Sequence, residues 1–337
     1  TLSVGITSYE LDFFGRIQSL KNQALENYLA SVEAQRASEL SLVAAIATQY
    51  FAEQALREQL ARADGIREAA ASARELTARA FEMGTKSAID LKSMEAQLAR
   101  IEADREVIAR RLALTQNALA VLVGRPLPDK LPEALPLDTE ELLPSVKPGL
   151  PSELLQRRPD ILAAEHALKA ANAYIGAARA AFFPRISLTA SGGSASADIQ
   201  SLFAGGGGTW QFMPQISVPL FAGGSRFAEL DVSKIQKLTE IANYERAIQV
   251  AFREVADALA AQTHLVRERD ARKVAAEASR ERYAMAEARY NAGLDSYLAV
   301  LTAQQDLFTA EQALVQVRVD QLSNTISLYR ALGGGFK

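Results

Sequence analysis

One structural unit occurs twice in this chain, with an offset of 209 residues. Each copy reads as a strand, a long helix, a tight glycine turn, a second long helix and a glycine stop. The offset holds without a gap over roughly a third of the chain in each copy, and duplication on that scale predicts a pseudo-symmetric architecture. It relates three pairs of glycines that interrupt or end the helical patterns: Gly15 and Gly224, Gly84 and Gly293, and Gly124 and Gly333.

Long helical patterns dominate both copies. They run over about 17–83 and 87–123 in the first copy and about 225–290 and 296–332 in the second, with a shorter one over about 152–181 that contains Pro159. At 1.5 Å per residue the longest would each measure roughly 100 Å, so we expect them to lie side by side in an elongated bundle. Apolar residues recur every seven positions in the last pattern, which predicts left-handed supercoiling: Leu301, Phe308, Val315, Leu322 and Tyr329.

Composition narrows the function. The chain has 337 residues, 49% of them hydrophobic and 23% charged, with a net charge of −3, and this balance argues against nucleic acid as a partner. No cysteine is present, which excludes disulfides and thiolate metal sites within these residues. The two histidines, His166 and His264, lie on separate helical patterns and cannot supply a metal site or a Ser-His-Asp set. We therefore expect no enzyme activity, no metal and no cofactor.

Short segments of strict alternation lie outside the helices. In 1–8, 185–191 and 210–221 apolar residues alternate with Ser, Thr, Gly and Gln, as a strand requires. An ordinary small sheet with one buried face is one interpretation. However, no helix has a spare apolar face to cover it, and aromatic residues cluster at the strand ends, as in the interfacial belts of membrane proteins. The alternation therefore favours a barrel wall with a wet lumen and these side chains facing lipid: Ile186, Leu188, Trp210, Ile216, Val218 and Leu220.

So few strands cannot close a barrel, and unpaired strand edges are not tolerated in lipid. Several copies of the chain must then contribute strands to one transmembrane barrel. The predicted fold class is mainly α with a transmembrane β part, built from the two internal repeats.

Five segments resemble the outer membrane factor (TolC/OprM-like) family, most closely the OprM-like branch that serves multidrug efflux. They are YELDFFGR at 9–16, LQRRPDI at 155–161, IGAARAAFFPRISL at 175–188, AFREVADAL at 251–259 and LYRALGGG at 328–335. The resemblance covers essentially the whole chain. This sequence departs from the pattern of two equal copies in one respect. The second copy has a leading helix and strand, 152–191, that the first lacks.

The resemblance implies a homotrimer in which each protomer gives four strands to a 12-stranded outer-membrane barrel and its helices to a long periplasmic α-barrel. It implies a passive exit duct in the bacterial outer membrane, extending into the periplasm and surrounded by outer-membrane lipid. The implied partners are a periplasmic membrane-fusion adaptor and an inner-membrane transporter of the resistance-nodulation-division (RND) type. A partner strand and a lipid-bearing cysteine are expected upstream of Thr1.

On this basis the chain divides into seven parts. The division is a barrel strand (1–14), the first α-barrel hairpin (15–124), an equatorial linker (125–151) that holds seven of the 11 prolines, an α-barrel helix (152–184), a barrel hairpin with an extracellular loop (185–222), the second α-barrel hairpin (223–332) and the start of an equatorial tail (333–337).

The resemblance also implies functional residues at the periplasmic tip. The adaptor-docking turns are expected at Gly84, Thr85, Lys86 and Ser87 and at Gly293, Leu294, Asp295 and Ser296. The gate of OprM-like members uses a leucine and an aspartate one turn apart. The leucine falls on Leu298, whereas the position of the aspartate holds Thr302 and that of a usual arginine holds Gln305. The other gate candidates are Asp295, Asp306 and Tyr290.

Two other functions are compatible with parts of this pattern. The same fold serves as the exit duct of type I protein secretion, which the OprM-like similarity disfavours. A coiled-coil structural protein without a pore is a third interpretation, and the alternation in 210–220 argues against it.

Overall fold

The computed structural model describes residues 1–126, 128, 156–200, 202–203 and 205–334. In chain order it has β1 (Leu2–Glu10), α1 (Arg16–Glu82), α2 (Ala88–Val123), α3 (Pro159–Ala180), β2 (Arg185–Ser194), β3 (Gly208–Ser217), α4 (Ser225–Asn291) and α5 (Tyr297–Ala331). The protein is therefore mainly helical. Most of the predicted linker at 125–151 and of the tail at 333–337 lies outside the described residues.

The duplication is visible in the backbone. Helices α1 and α4 are both 67 residues long and begin at Arg16 and Ser225, which are 209 positions apart. The glycines of each predicted pair share a left-handed conformation, with φ of 74° and 82° at Gly15 and Gly224, 74° and 71° at Gly84 and Gly293, and 74° and 91° at Gly124 and Gly333. The repeat predicted from the sequence is confirmed.

The strands form one antiparallel sheet in the order β1-β2-β3. Residues directly opposite each other share a face, and the apolar positions coincide across the sheet: Ile186 lies opposite Ile216, Ala190 opposite Phe212, and Ile6 opposite Ala190. Polar residues coincide on the other face, where Ser187 lies opposite Gln215.

A bulge in β1 preserves this separation of faces. Between Ile6 and Tyr9 the strand advances three residues while β2 advances two, from Ala190 to Leu188. The extra residue places Tyr9 opposite Leu188, on the apolar face, and Glu10 opposite Ser187, on the polar face. The simple alternation read from the sequence would have placed Ser8 on the apolar face instead.

One predicted strand boundary is wrong. The segment 210–221 was expected to be strand throughout, but β3 ends at Ser217, so Val218 and Leu220 follow the strand. Pro219, which has no N–H to donate, lies two residues beyond this end. Helix α3 begins at Pro159, because proline fits the first helical position and disfavours helical backbone in the residue before it. Gln156 and Arg157 are also helical and are separated from α3 by Arg158, so the predicted start near 152 stays a prediction. Residues 152–155 lie outside the described part.

The chain divides into two compact units. The first comprises Thr1–Ala37 with Pro151–Ala251, and here α3 packs against both long helices. A methyl group on Gly176 of α3 would lie 2.5 Å from Ser19 Oγ, so the helices approach closely there. His166 Nδ1 lies 2.6 Å from Glu26 Oε2 of α1, and the Tyr174 hydroxyl donates to Glu229 of α4 at 3.3 Å.

The second unit comprises Ser38–Leu150 with Phe252–Lys337. Its core consists of small contacts between helices, such as Ala73, Met94 and Leu301, which join α1, α2 and α5. Ion pairs surround this core. Glu311 of α5 lies 2.7 Å from Arg62 of α1 and 2.6 Å from Arg280 of α4 and so links three helices.

No helix within the described residues is long and apolar enough to cross a membrane.

Candidate functional site

The turn between α1 and α2 is built by hydrogen bonds that only a left-handed residue permits. Gly84 N–H donates to Phe81 O at 2.9 Å, and Thr85 N–H donates to Ala80 O at 2.9 Å. This pattern needs a positive φ at the residue after the helix, which glycine adopts without strain. The side chains of Thr85 and Lys86 therefore stand on a fixed, exposed corner.

The turn between α4 and α5 repeats this geometry. Gly293 N–H donates to Tyr290 O at 2.9 Å, and Leu294 N–H donates to Arg289 O at 2.9 Å. These donors and acceptors stand 209 residues after those of the first turn. The two predicted docking turns are therefore equivalent corners of the duplicated unit.

The helices that follow the two turns are capped differently. In the first, Ser87 Oγ accepts from the Asp90 backbone at 3.1 Å, and an Asp90 carboxylate oxygen accepts from the Ser87 backbone at 3.0 Å. The hydrogen bond from the Ser87 hydroxyl lowers the pKa of Asp90. In the second, Ser296 makes no side-chain cap, and the residue matching Asp90 is Ala299. The first turn of α5 lacks the reciprocal bonds that fix the start of α2.

An ion pair spans the second turn instead. Arg289 Nε donates to Asp295 Oδ2 at 2.5 Å. This bond holds the pKa of Asp295 below its ordinary value and raises the pKa of Arg289. Asp295 is both a gate candidate and a member of the second docking turn. The structure places a cation beside it, and that arginine was absent from the residues proposed from sequence.

The remaining gate candidates divide by their contacts. Leu298 is 65% exposed, and Thr302, one turn later, donates its hydroxyl to the Leu298 carbonyl at 2.9 Å. Gln305 is held towards α2, since Gln97 Nε2 donates to its side-chain oxygen at 3.2 Å. Leu298 is thus the gate candidate whose apolar side chain is exposed and free to contact another copy of the chain.

Two further candidates are engaged within the hairpin of α4 and α5. Arg282 donates to Asp306 at 2.5 Å, so this carboxylate is also neutralised by an arginine of α4. Tyr290 and Tyr297 pack edge to face, with ring centroids 4.9 Å apart. Both contacts join the helices on either side of the turn.

The sheet carries the predicted lipid-facing residues on one face. Trp210, Ile216 and Ile186 lie on that face together with Leu188, by the register of β2 and β3. Trp210 is 83% exposed and Ile216 is 66% exposed, so none of the residues that the structure describes covers them. Val218 and Leu220 are exposed as well but lie beyond the strand.

Among the described residues, no group of three or more His, Cys, Asp or Glu is arranged to hold a metal. Long helical hairpins with equivalent glycine corners, in a chain that also carries a sheet with one apolar and one polar face, are the features expected of a duct-forming membrane protein.

Comparisons with known proteins identify the family to which the chain belongs. The outer membrane efflux protein family matches residues 1–125 and 150–334. The toluene efflux pump outer membrane protein TtgC of Pseudomonas putida is 46% identical over 334 residues, covering 99% of this chain and 69% of that protein. The outer membrane protein OprJ of Pseudomonas aeruginosa is 41% identical over 348 residues, covering 99% of this chain and 70% of OprJ.

Among solved structures, the open state of the MtrE outer membrane channel of Neisseria gonorrhoeae superimposes with a TM-score of 0.87 and 41% identity, covering 99% of this chain and 75% of MtrE. The chain belongs to the outer membrane efflux protein family. It is an outer-membrane protein that acts as the exit duct of an efflux pump together with other pump components, and its family is one of channels rather than enzymes.

Proposed function

We propose that three copies of the protein form a 12-stranded barrel in the outer membrane, continued by a periplasmic α-barrel, with the domain division given above. The observation that carries this proposal is the register of the sheet. On one face most of the paired residues are apolar, while Ser, Thr and Gln predominate on the other, where Met213 opposite Thr189 is an exception. A wall with lipid on one side and water on the other has this arrangement.

The sheet edges support assembly from several copies. Within the described residues, β1 and β3 each pair only with β2, so each leaves one edge without a partner strand. An open edge in a bilayer would leave N–H and C=O groups unsatisfied at several kcal/mol each. Strands of neighbouring copies, or of a segment outside the described residues, satisfy these edges in the proposed barrel.

The transporter of the pump, and not the duct, determines which compounds are exported. TtgC is named for toluene efflux. We extend this class to the present protein and propose that it releases apolar solvents and drugs delivered by an RND transporter through a periplasmic adaptor.

The adaptor is proposed to dock on the two glycine corners. These 337 residues contain no cysteine, so a cysteine introduced at Lys86 or Leu294, which are both exposed, would be the single one in this part of the protein. Each should cross-link to the adaptor in cells, while a cysteine at exposed Val232 on α4 should not. Equal cross-linking from all three positions, or from Val232 alone, would place the docking surface elsewhere.

Efflux itself is tested in a strain that lacks its own outer-membrane duct but retains the adaptor and transporter. The full-length protein should restore growth in the presence of toluene. Restored secretion of a type I substrate without restored toluene tolerance would contradict the proposal.

A further inference from the structure

A cavity of about 130 Å³ lies at the foot of the sheet, in the first compact unit. It forms where β1 ends, β2 begins and β3 ends, and where α1 and α4 start nearby. Its wall contains both charged and aromatic side chains: Glu10, Arg16, Arg185, Arg226, Phe14 and Phe183. None of these was among the residues proposed for the gate, the docking turns or the lipid face.

The acidic groups of the cavity are already engaged. Arg16 binds both carboxylate oxygens of Glu10, at 2.7 and 2.5 Å. Asp12, which also lines the cavity, accepts a hydrogen bond from the Gln18 backbone at 2.8 Å at the start of α1. Glu10 is therefore paired with a cation, whereas Asp12 is bound by backbone N–H at the start of α1.

Two guanidinium groups are much less engaged. Arg185 lies 3.9 Å from a Glu10 oxygen that Arg16 already binds, and Arg226 lies 3.6 Å from Glu229, one turn further along α4. Both distances exceed that of a hydrogen bond. Within the described part of the chain neither guanidinium group makes a hydrogen bond, so the N–H donors of both are available to an anion with two oxygens.

An aromatic wall stands beside these donors. The rings of Phe14 and Phe183 stack with centroids 4.7 Å apart and an interplanar angle of 12°. Phe183 remains 51% exposed and Phe14 remains 42% exposed, so the stack can accept a further apolar group. Donor forks next to a ring stack match a ligand that has a carboxylate at one end and an aromatic ring at the other.

The register places this cavity on the polar face of the sheet. Arg185 lies opposite Ser217, and Glu10 lies opposite Ser187, which belongs to the same face as Gln215. In the proposed barrel that face lines the lumen. The cavity would therefore meet solutes inside the duct rather than lipid outside it.

We propose that this cavity is a weak binding site for small aromatic carboxylates, with Arg185 and Arg226 holding the carboxylate and Phe14 and Phe183 contacting the ring. Its place inside the duct rests on the proposed function, whereas binding itself does not. A site along a conduction path must release its ligand readily, so the expected Kd is on the order of 1 mM.

The test uses the full-length protein in detergent and 4-fluorobenzoate, whose fluorine line broadening reports binding. Arg185→Gln combined with Arg226→Gln should weaken binding about tenfold or more, since two charge-assisted contacts are lost. Arg253→Gln is the matched control, because Arg253 is also weakly paired, 4.0 Å from Asp257, but lies on α4 in the other unit. It should leave binding unchanged.

Further measurements test the aromatic contact and the arginine contacts separately. Inorganic phosphate should compete much more weakly than benzoate, and equal competition would overturn the aromatic assignment. Phe14→Leu should weaken benzoate without changing phosphate. If the double variant unfolds, Arg226→Gln alone, on an exposed helix start, should still weaken binding about threefold.

Binding that is unchanged in the arginine variants would overturn the inference. A protein that conducts ions in bilayers but binds no fluorobenzoate would overturn the inference alone. A protein that binds fluorobenzoate but forms no channel would leave the site standing and overturn the proposed duct.

Discussion

At the scale of single residues, the pairing of Asp295 with Arg289 changes what the second corner can do. Every acidic gate candidate of the chain lies against an arginine of α4: Asp295 against Arg289 and Asp306 against Arg282. In the proposed trimer, a ring of three such pairs would carry little net charge. Selectivity for cations at the tip then depends on which member of the pair is removed.

Charge removal at this corner should act in opposite directions. Arg289→Gln frees Asp295 and should raise cation preference, and Asp295→Asn frees Arg289 and should lower it. The double variant should return towards the parent. The measurement is the reversal potential of single channels in planar bilayers under a salt gradient. If Arg289→Gln has no effect while Asp295→Asn does, the pair does not form in the assembled protein.

The same pair determines how the reversal potential should respond to pH. The pKa of Asp295 is lowered from 3.8, so the carboxylate stays charged well below neutrality, and the stability that the pair contributes is lost only as pH falls through the lowered pKa. The reversal potential should therefore be constant between about pH 8 and pH 5.

Leu298 is the residue expected to narrow the pore. Three exposed leucines that converge one turn inside the corner would exclude water without any charge. Leu298→Ser should raise single-channel conductance, whereas Leu322→Ser, further along α5, should not. The opposite pattern would place the constriction in the upper part of the helix.

At the scale of elements, the two corners differ in how firmly the next helix begins. Ser87→Ala removes a capping box, so amide exchange in the first turn of α2 should become several-fold faster. Ser296→Ala removes no cap bond and should leave the first turn of α5 unchanged. Hydrogen exchange followed by mass spectrometry compares the two turns, and equal responses would show that the caps are equivalent in the assembled protein.

The strands offer a test of facing. Ile216 shares the apolar face with Ile186, whereas its neighbour Gln215 lies opposite Ser187 on the polar face. An arginine on the lipid face near the midplane costs about 2–4 kcal/mol. Ile216→Arg should therefore reduce assembly in the outer membrane, and Gln215→Arg should not. Normal assembly of the first variant with failure of the second would invert the facing.

Elements of this kind were largely predictable, because periodicity is local. The helix starts at Arg16 and Ser225 and the glycine corners were expected within a residue or two, since proline-free 3.6-residue periods ended by glycine leave little choice. The bulge before Tyr9 and the pairing of Arg289 with Asp295 were not expected. Both depend on how the backbone turns between residues, which a pattern of single residue types does not encode.

At the scale of the whole molecule, the duplication explains how one chain can line a duct. Two equivalent hairpins per chain give a threefold assembly six similar hairpins, and the corners at Gly84 and Gly293 supply six similar tips. The polar face of the sheet belongs inside such an assembly and the apolar face outside.

The most direct test is the mass and conductance of the full-length protein extracted from outer membranes. Native mass spectrometry in detergent should give three chains per particle, and the same particle should form ion-conducting channels in planar bilayers. A stable monomer that remains soluble without detergent and conducts nothing would contradict the account.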